Sequence, residues 1–330
     1  MRGERYLGDG HGAMPSVETM NTKIETALEI YREEGTVTLL DRAKRHYASR
    51  AYRRFERLLT RFHGRYLFDR DWDLAVVLDA CRYDLAAERE RSRPDGLGDP
   101  ERVYSVGGHS ADWIERTFEA ASDSTVSETT YVCANPFTDR APAEKLRYLD
   151  RVYRYAWDSE LGTVPPRSVT DRAIRLMRRG TASRYVVHYM QPHLPPLKPS
   201  EVDYGRWEPT EGIRGDVTER SGVGWELAES GEATEAVVRD YRSNLDPVLE
   251  EVALLLKNVQ APKVVVTADH GNYLGGRGRW GHPPRHVHPA VRHVPWWETE
   301  ATDEGIHSPA RYDRTNEVSR DHQLEALGYR

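Results

Sequence analysis

The stretch Val264-Val265-Val266-Thr267-Ala268-Asp269-His270-Gly271 constrains this chain more than any other. Three β-branched residues in a row read as a buried strand. The strand ends in a carboxylate beside an imidazole, and Gly271 then lets the chain turn. Open α/β sheets place their ligands at the carboxyl ends of their strands. Asp269 and His270 are therefore candidates for holding a divalent cation. A capping Asp with an incidental His at a strand-to-helix turn is the alternative. Much earlier, Leu74-Ala75-Val76-Val77-Leu78-Asp79 repeats the pattern of a buried strand ending in an acid. Two such strands bring carboxylates from distant sequence to one sheet edge.

Between and after them, strand patterns alternate with helical ones. Val103–Val106, Tyr131–Ala134 and Tyr185–Met190 read as strands, and Ala111–Ala120, Ser168–Arg179 and Ala233–Lys257 as helices. This alternation predicts an α/β fold with a doubly wound, mostly parallel sheet flanked by helices. Residues 66–330 are expected to form it. Residues 1–20 are aperiodic and read as a disordered lead, and 21–65 as a helical N-terminal extension. Within that extension Ala48, Ala51, Tyr52, Phe55, Leu58, Leu59 and Phe62 fall at helical spacing. Arg42, Lys44, Arg45, Arg50, Arg53, Arg54, Arg57, Arg61 and Arg65 cover the other face. Such a helix either meets anionic headgroups as a peripheral membrane contact through 42–65, or packs on the main domain with its charges in water. Residues 200–232 read as a long polar excursion.

At 330 residues the chain can bury a sizeable core, and 30% of its residues are charged. The net charge of −6 is too modest to argue for nucleic acid, and none is expected as a partner. Two cysteines, Cys81 and Cys133, make neither a disulfide framework nor a metal-spaced pair. No secretory signal or spanning apolar run is legible, so the expected location is cytoplasmic.

Four short segments in order resemble the alkaline phosphatase superfamily, and within it the sulfatase-like branch. They are Asp79 with Arg82, the segment His188-Tyr189-Met190-Gln191-Pro192-His193-Leu194-Pro195, Asp269-His270-Gly271, and Gly281-His282-Pro283. The closing Leu324–Tyr329 is similar to the end of small soluble archaeal sulfatase-like proteins. The resemblance implies an alkaline-phosphatase-like fold and a metal-dependent enzyme of phosphoric or sulfuric esters. Asp79, Asp269 and His270 would hold a divalent ion (zinc, manganese or calcium). Ser110, after Gly107-Gly108 and before a helix, would complete that shell as the nucleophile. A simple N-cap is its other reading, and Ser105 is its rival. His193 is implied as catalytic, and His193, His282 and Arg82 as substrate-binding; Arg82 alternatively pairs with Asp84. His286, His288 and His293 read as metal contacts, a pH-sensitive loop or merely a polar loop. The formylglycine-type Cys motif of sulfatases is absent from the sequence, which favours phosphate over sulfate esters. No Asp-x-x-x-His spacing for a second metal occurs mid-chain. The expected function is thus ester hydrolysis on a small molecule or glycan. A transferase moving a phospho-substituent onto a sugar, and a silent binding protein of the same fold, are the alternatives.

Overall fold

A computed structural model of the protein describes residues 50–204 and 223–313. The expected lead, residues 21–49 of the expected helical extension, most of the polar excursion and Leu324–Tyr329 lie outside the described residues. The chain divides into two units, 1–57 and 58–330. In the first, residues 50–57 are helical.

The second unit opens with helical residues 58–63, α1. Its strands are β1 (Gly64–Arg65), β2 (Leu74–Leu78), β3 (Glu101–Ser105), β4 (Thr129–Cys133), β5 (Tyr148–Arg151), β6 (Arg184–Tyr189), β7 (Ala261–Thr267), β8 (Tyr273–Leu274), β9 (Trp280–Gly281) and β10 (His293–Ala301). Its further helices are α2 (Tyr83–Ala87), α3 (Ser110–Ala120), α4 (Asp123–Ser127), α5 (Tyr153–Ala156), α6 (Pro166–Met177), α7 (Val223–Ser230), α8 (Thr234–Ser243), α9 (Leu245–Leu256) and α10 (Pro289–Arg292). Eight strands make one sheet in the order β1-β3-β10-β7-β2-β6-β4-β5, and β8 pairs with β9 as a separate hairpin. Every neighbour in the large sheet is parallel except β10, which runs antiparallel to both β3 and β7.

All five residues of β2 are buried, as both-face burial at the centre of a parallel sheet requires. One face of β4 and β6 carries Tyr131 and His188; the α3 side chains Phe118 and Trp113 pack against them, Phe118 tilted on Tyr131 and Trp113 edge-on to His188. The opposite face presents Tyr189, whose hydroxyl meets Thr170 of α6 at 2.9 Å. The core is therefore two layers of helix around one sheet.

Two features differ from the sequence reading. The single helix expected over 233–257 is broken between α8 and α9. Pro247 cannot join an unbroken helix, because its ring opposes the preceding turn and it lacks an N–H. At the break, buried Asn244 turns its side chain away: Nδ2 donates to His193 O and Pro195 O, each at 3.0 Å, and Oδ1 accepts from Leu197 N–H at 2.9 Å. The break thus anchors the segment bearing His193. Second, the polar loop expected over 282–293 contains the short helix α10 and runs into β10, which fills the gap between β3 and β7.

Candidate metal and nucleophile site

Strand register brings the two acids together. Val77 of β2 pairs with Thr267 of β7 on one side and with His188 of β6 on the other. Two positions further along, Asp79 and Asp269 stand level at the carboxyl edge, both fully buried. Ala80 takes a left-handed φ of 61°, which costs an L-residue about 1–2 kcal/mol. Its N–H donates to Asp269 Oδ1 at 3.0 Å, and its carbonyl accepts the Tyr241 hydroxyl at 2.6 Å. Asp269 Oδ1 also accepts the His270 N–H at 2.8 Å. Asp79 Oδ2 accepts from Asn135 Nδ2 at 2.6 Å. One oxygen of each acid, Asp79 Oδ1 and Asp269 Oδ2, is buried without a hydrogen-bond partner.

His270 faces that pair. Its Nδ1 is 2.9 Å from Gly271 O. A carbonyl only accepts, so Nδ1 carries the proton and Nε2 presents a lone pair. Nε2 lies 3.7 Å from Asp79 Oδ1 and 3.4 Å from Asp269 Oδ2. The ligand atoms of Asp79, Asp269 and His270 all fall within 4.8 Å of one another. Two orphaned carboxylate oxygens and an imidazole lone pair, dry and converging, are costly unless a cation sits among them. The residues therefore fit a divalent ion. The nitrogen donor suits zinc or manganese better than calcium. Gly271 is needed here for space: a Cβ would lie 2.4 Å from Ala290 O.

Ser110 is the first residue of α3, fully buried, with Oγ 3.2 Å from His270 Nε2. The helix cap is its neighbour: His109 Nδ1 accepts the Ala111 N–H at 3.1 Å. The Ser110 hydroxyl is thus turned to the cluster rather than to the helix backbone. Gly107 permits this turn, since a Cβ there would be 2.6 Å from Trp113 N. Ser105 is turned elsewhere; its hydroxyl donates to Asp269 O and accepts the Gly107 N–H at 3.2 Å.

Three more imidazoles surround His270. The His282 ring is 4.3 Å from His270, 5.1 Å from His193 and 5.4 Å from His109. His193 Nδ1 meets Leu194 O at 2.5 Å, and His282 Nδ1 meets Asn272 Oδ1 at 2.6 Å. Both oxygens accept, so both rings carry their proton on Nδ1 and present Nε2 as an acceptor. His109 accepts at Nδ1 and is the opposite tautomer, with its proton on Nε2. Burial, helped by His270, pushes His109 down to about 3 and His282 well below its usual range; burial also pushes His193 down to about 4. At neutral pH these rings orient oxygens through hydrogen bonds, without adding charge.

Arg82 lies outside this cluster. Its guanidinium forks onto Asp84 and donates to Asn272 O at 2.9 Å, bracing the segment that holds His282. His286 meets the Tyr273 hydroxyl at 3.2 Å, His288 caps α10 through Ala290 N–H at 3.1 Å, and His293 opens β10. None of the three belongs to the metal trio. Sequence reading missed Asn135, Asn272 and the roles of His109 and His188. Only Asn135 carried a usable signal, an Asn-Pro pair after a strand, which marks a helical start.

Burial, then repulsion from Asp269, raises Asp79 well above the carboxylate range. For Asp269 burial acts upward too, but His270 and His188 hold it below that range. The metal-free pair therefore carries one proton. This gives a signed expectation for stability. Below about pH 6.5, the unfolded chain protonates His109, His193 and His282 while the fold does not, each contributing about 1.4 kcal/mol of lost stability per pH unit. The proton held by folded Asp79 acts oppositely, but it is one against three. Urea unfolding of the metal-free protein should show stability falling between pH 6.5 and about 4, the range set by His193. A flat profile there contradicts neutral burial of these rings.

No protein-family model matches the chain, and no curated protein does. Solved structures similar to it include the soluble domain of lipooligosaccharide phosphoethanolamine transferase A from Neisseria meningitidis. That domain is 15% identical with a TM-score of 0.48, over 77% of this chain and 86% of that one. The periplasmic domain of phosphoethanolamine transferase EptC from Campylobacter jejuni is 16% identical with a TM-score of 0.42, over 68% and 77%. An alkaline phosphatase superfamily protein from Vibrio parahaemolyticus is 12% identical with a TM-score of 0.39, over 78% and 66%. At these values the site's own residues, and not the likeness, carry any function. Solved structures similar to this chain thus include phosphoethanolamine transferases, a 2-O GAG sulfatase and a member of the alkaline phosphatase superfamily.

Proposed function

We propose that the protein is a metal-dependent phosphoesterase, or a related transferase, acting through Ser110. The carrying observation is that Ser110 Oγ lies 3.2 Å from the imidazole nitrogen that, with Asp79 and Asp269, forms a closed set of cation ligands. A bound divalent ion would supply positive charge to the transferring group and increase the acidity of the Ser110 hydroxyl. Ser110 Oγ attacks phosphorus in line: the Oγ–P bond forms, the bond to the leaving oxygen breaks, and the hydroxyl proton ends on that leaving oxygen, releasing an alcohol. His109, with its proton on Nε2, is suited to donate to a non-bridging oxygen. His193 and His282, presenting Nε2 lone pairs, are suited to accept from the water or acceptor hydroxyl of the second step.

Transfer to an acceptor hydroxyl is the second reading. It is favoured by the complete burial of Ser110, which limits the access of water to a seryl intermediate. The test is turnover of aryl phosphate monoesters, phosphodiesters and sulfates by protein stripped of metal and then reloaded with zinc or manganese. Metal-restored turnover of a phosphate ester is expected. Stoichiometric metal without turnover or seryl modification would leave a binding protein.

The same proposal includes contact of residues 42–65 with an anionic lipid surface. Among the described residues, Tyr52 and Phe55 of the first unit are exposed, as are Leu58 and Phe62 of the second. Arginines 53, 54, 57 and 61 lie between them in sequence, and Arg50 just before them. Co-sedimentation with phosphatidylserine vesicles should occur at low salt and weaken at high salt; absence of binding at low salt refutes the contact. A reducing compartment, consistent with free buried Cys81 and Cys133, completes the proposal.

A further inference from the structure

His188 is fully buried beneath the site, in β6 between β2 and β4. Its Nδ1 lies 2.8 Å from the Tyr131 hydroxyl. Its Nε2 has no hydrogen-bond partner and points at Asp269 Oδ2, 3.6 Å away, which has none either. That separation exceeds the roughly 3.2 Å limit of an ordinary N–H···O bond, so the two are near neighbours but not joined. Asp269 Oδ1 already accepts two N–H groups, from Ala80 and His270. Oδ2 therefore has two directions left. One leads to the space shared with Asp79 and His270, and the other to His188.

The orientation of His188 follows from the groups behind it. The Asn135 N–H donates to Cys133 Sγ at 3.3 Å, and the Cys133 thiol donates to the Tyr131 oxygen at 3.3 Å. Tyr131 therefore holds the Nδ1 side of the ring and leaves Nε2 facing Asp269. Burial acts downward on His188, but Cys133 and Asp269 hold it well above the usual imidazole range, so Nε2 carries a proton. His188 thus offers Asp269 a donor, whereas a metal ligand would offer a lone pair. Geometry agrees, because His188 stands outside the trio whose ligand atoms close to within 4.8 Å. Trp113, edge-on at 5.7 Å, holds the ring in place.

We propose that His188 is the positioning residue of the metal centre, donating Nε2–H to Asp269 Oδ2 so that this oxygen's other lone pair is aimed at the cation, with Tyr131 fixing the orientation of the ring. The inference rests on the metal centre proposed above. Hydrogen-bonded outer partners of this kind typically govern metal affinity by about 10–100-fold.

The test is zinc affinity of the full chain, measured by chelator competition and independent of turnover. Four proteins are compared: wild type, His188→Leu, His188→Gln and Tyr131→Phe. Leucine keeps the volume and removes the donor; glutamine can place an amide N–H near the position of Nε2. Zinc binding should weaken about 10–100-fold in His188→Leu and recover most of that loss in His188→Gln. Tyr131→Phe should weaken it several-fold, because the ring's orientation is released. Wild-type affinity in His188→Leu would overturn the proposal. Equal losses in the Leu and Gln variants would also overturn it, pointing to a direct ligand or to packing. Should His188→Leu fail to fold, Tyr131→Phe decides: unchanged affinity there overturns the relay. A wild-type chain that binds no zinc refutes the metal centre itself, a different result from zinc-binding wild type with unaffected variants.

Discussion

Ser110→Ala should yield a folded, metal-binding protein whose turnover is lower by roughly 10⁴-fold or more, the scale of losing a covalent nucleophile. The expectation of intact folding follows from the cap. Had Ser110 been the N-cap, its loss would cost about 0.5–2 kcal/mol. The cap is His109, and the Ser110 hydroxyl faces His270 Nε2 at 3.2 Å. Removing one hydroxyl from a position with no cap role should change stability by less than about 1 kcal/mol. Metal affinity should fall only modestly, since Asp79, Asp269 and His270 remain. Kinetics, thermal unfolding and metal content on one preparation check all three statements. Near-normal turnover in a metal-loaded variant would sink the nucleophile assignment.

Asp269→Asn should lose the metal and the activity together, yet leave the metal-free protein more stable than Asp269→Ala does. Asparagine retains an oxygen for the Ala80 and His270 N–H groups, so those buried donors stay satisfied. It also removes a buried charge facing Asp79. What it cannot do is supply the anionic Oδ2. Affinity should fall by more than the roughly 100-fold that losing an outer partner costs. Asp269→Ala, in contrast, should destabilise the fold, because it strands two buried N–H groups at about 1–3 kcal/mol each. The contrast between Asn and Ala separates the metal-binding role of this carboxylate from its role in holding the left-handed Ala80. Retained zinc in the Asn variant would contradict the ligand set.

The two acids were legible because each ends a run that can only be a buried strand, and parallel register then places them side by side. Ser110 was legible through Gly107-Gly108 and the helix that follows, although the identity of the cap was not. A His in the N-cap position accepts through a ring nitrogen, which a reading confined to Ser, Thr, Asp and Asn does not seek. β10 was hidden by Pro295 and its flanking histidines. Its pairing partners, β3 and β7, are remote in sequence, so local pattern could not reveal that it closes the sheet between them. Asn135 and His188 act across strands, Asn135 on Asp79 and His188 toward Asp269, and their roles exist only once β4 and β6 stand beside β2. The α8–α9 break was signalled by Pro247 but outweighed by the strong apolar periodicity around it.

The central claim is that Ser110 becomes covalently modified during turnover. Zinc-loaded protein should be mixed with an aryl phosphate, quenched in acid within a turnover, digested and sequenced by tandem mass spectrometry. Phosphate on Ser110, absent without metal and absent in Ser110→Ala, is the predicted result. Product release with no phosphorylated Ser110 at any quench time, or phosphate on Ser105 instead, would contradict it.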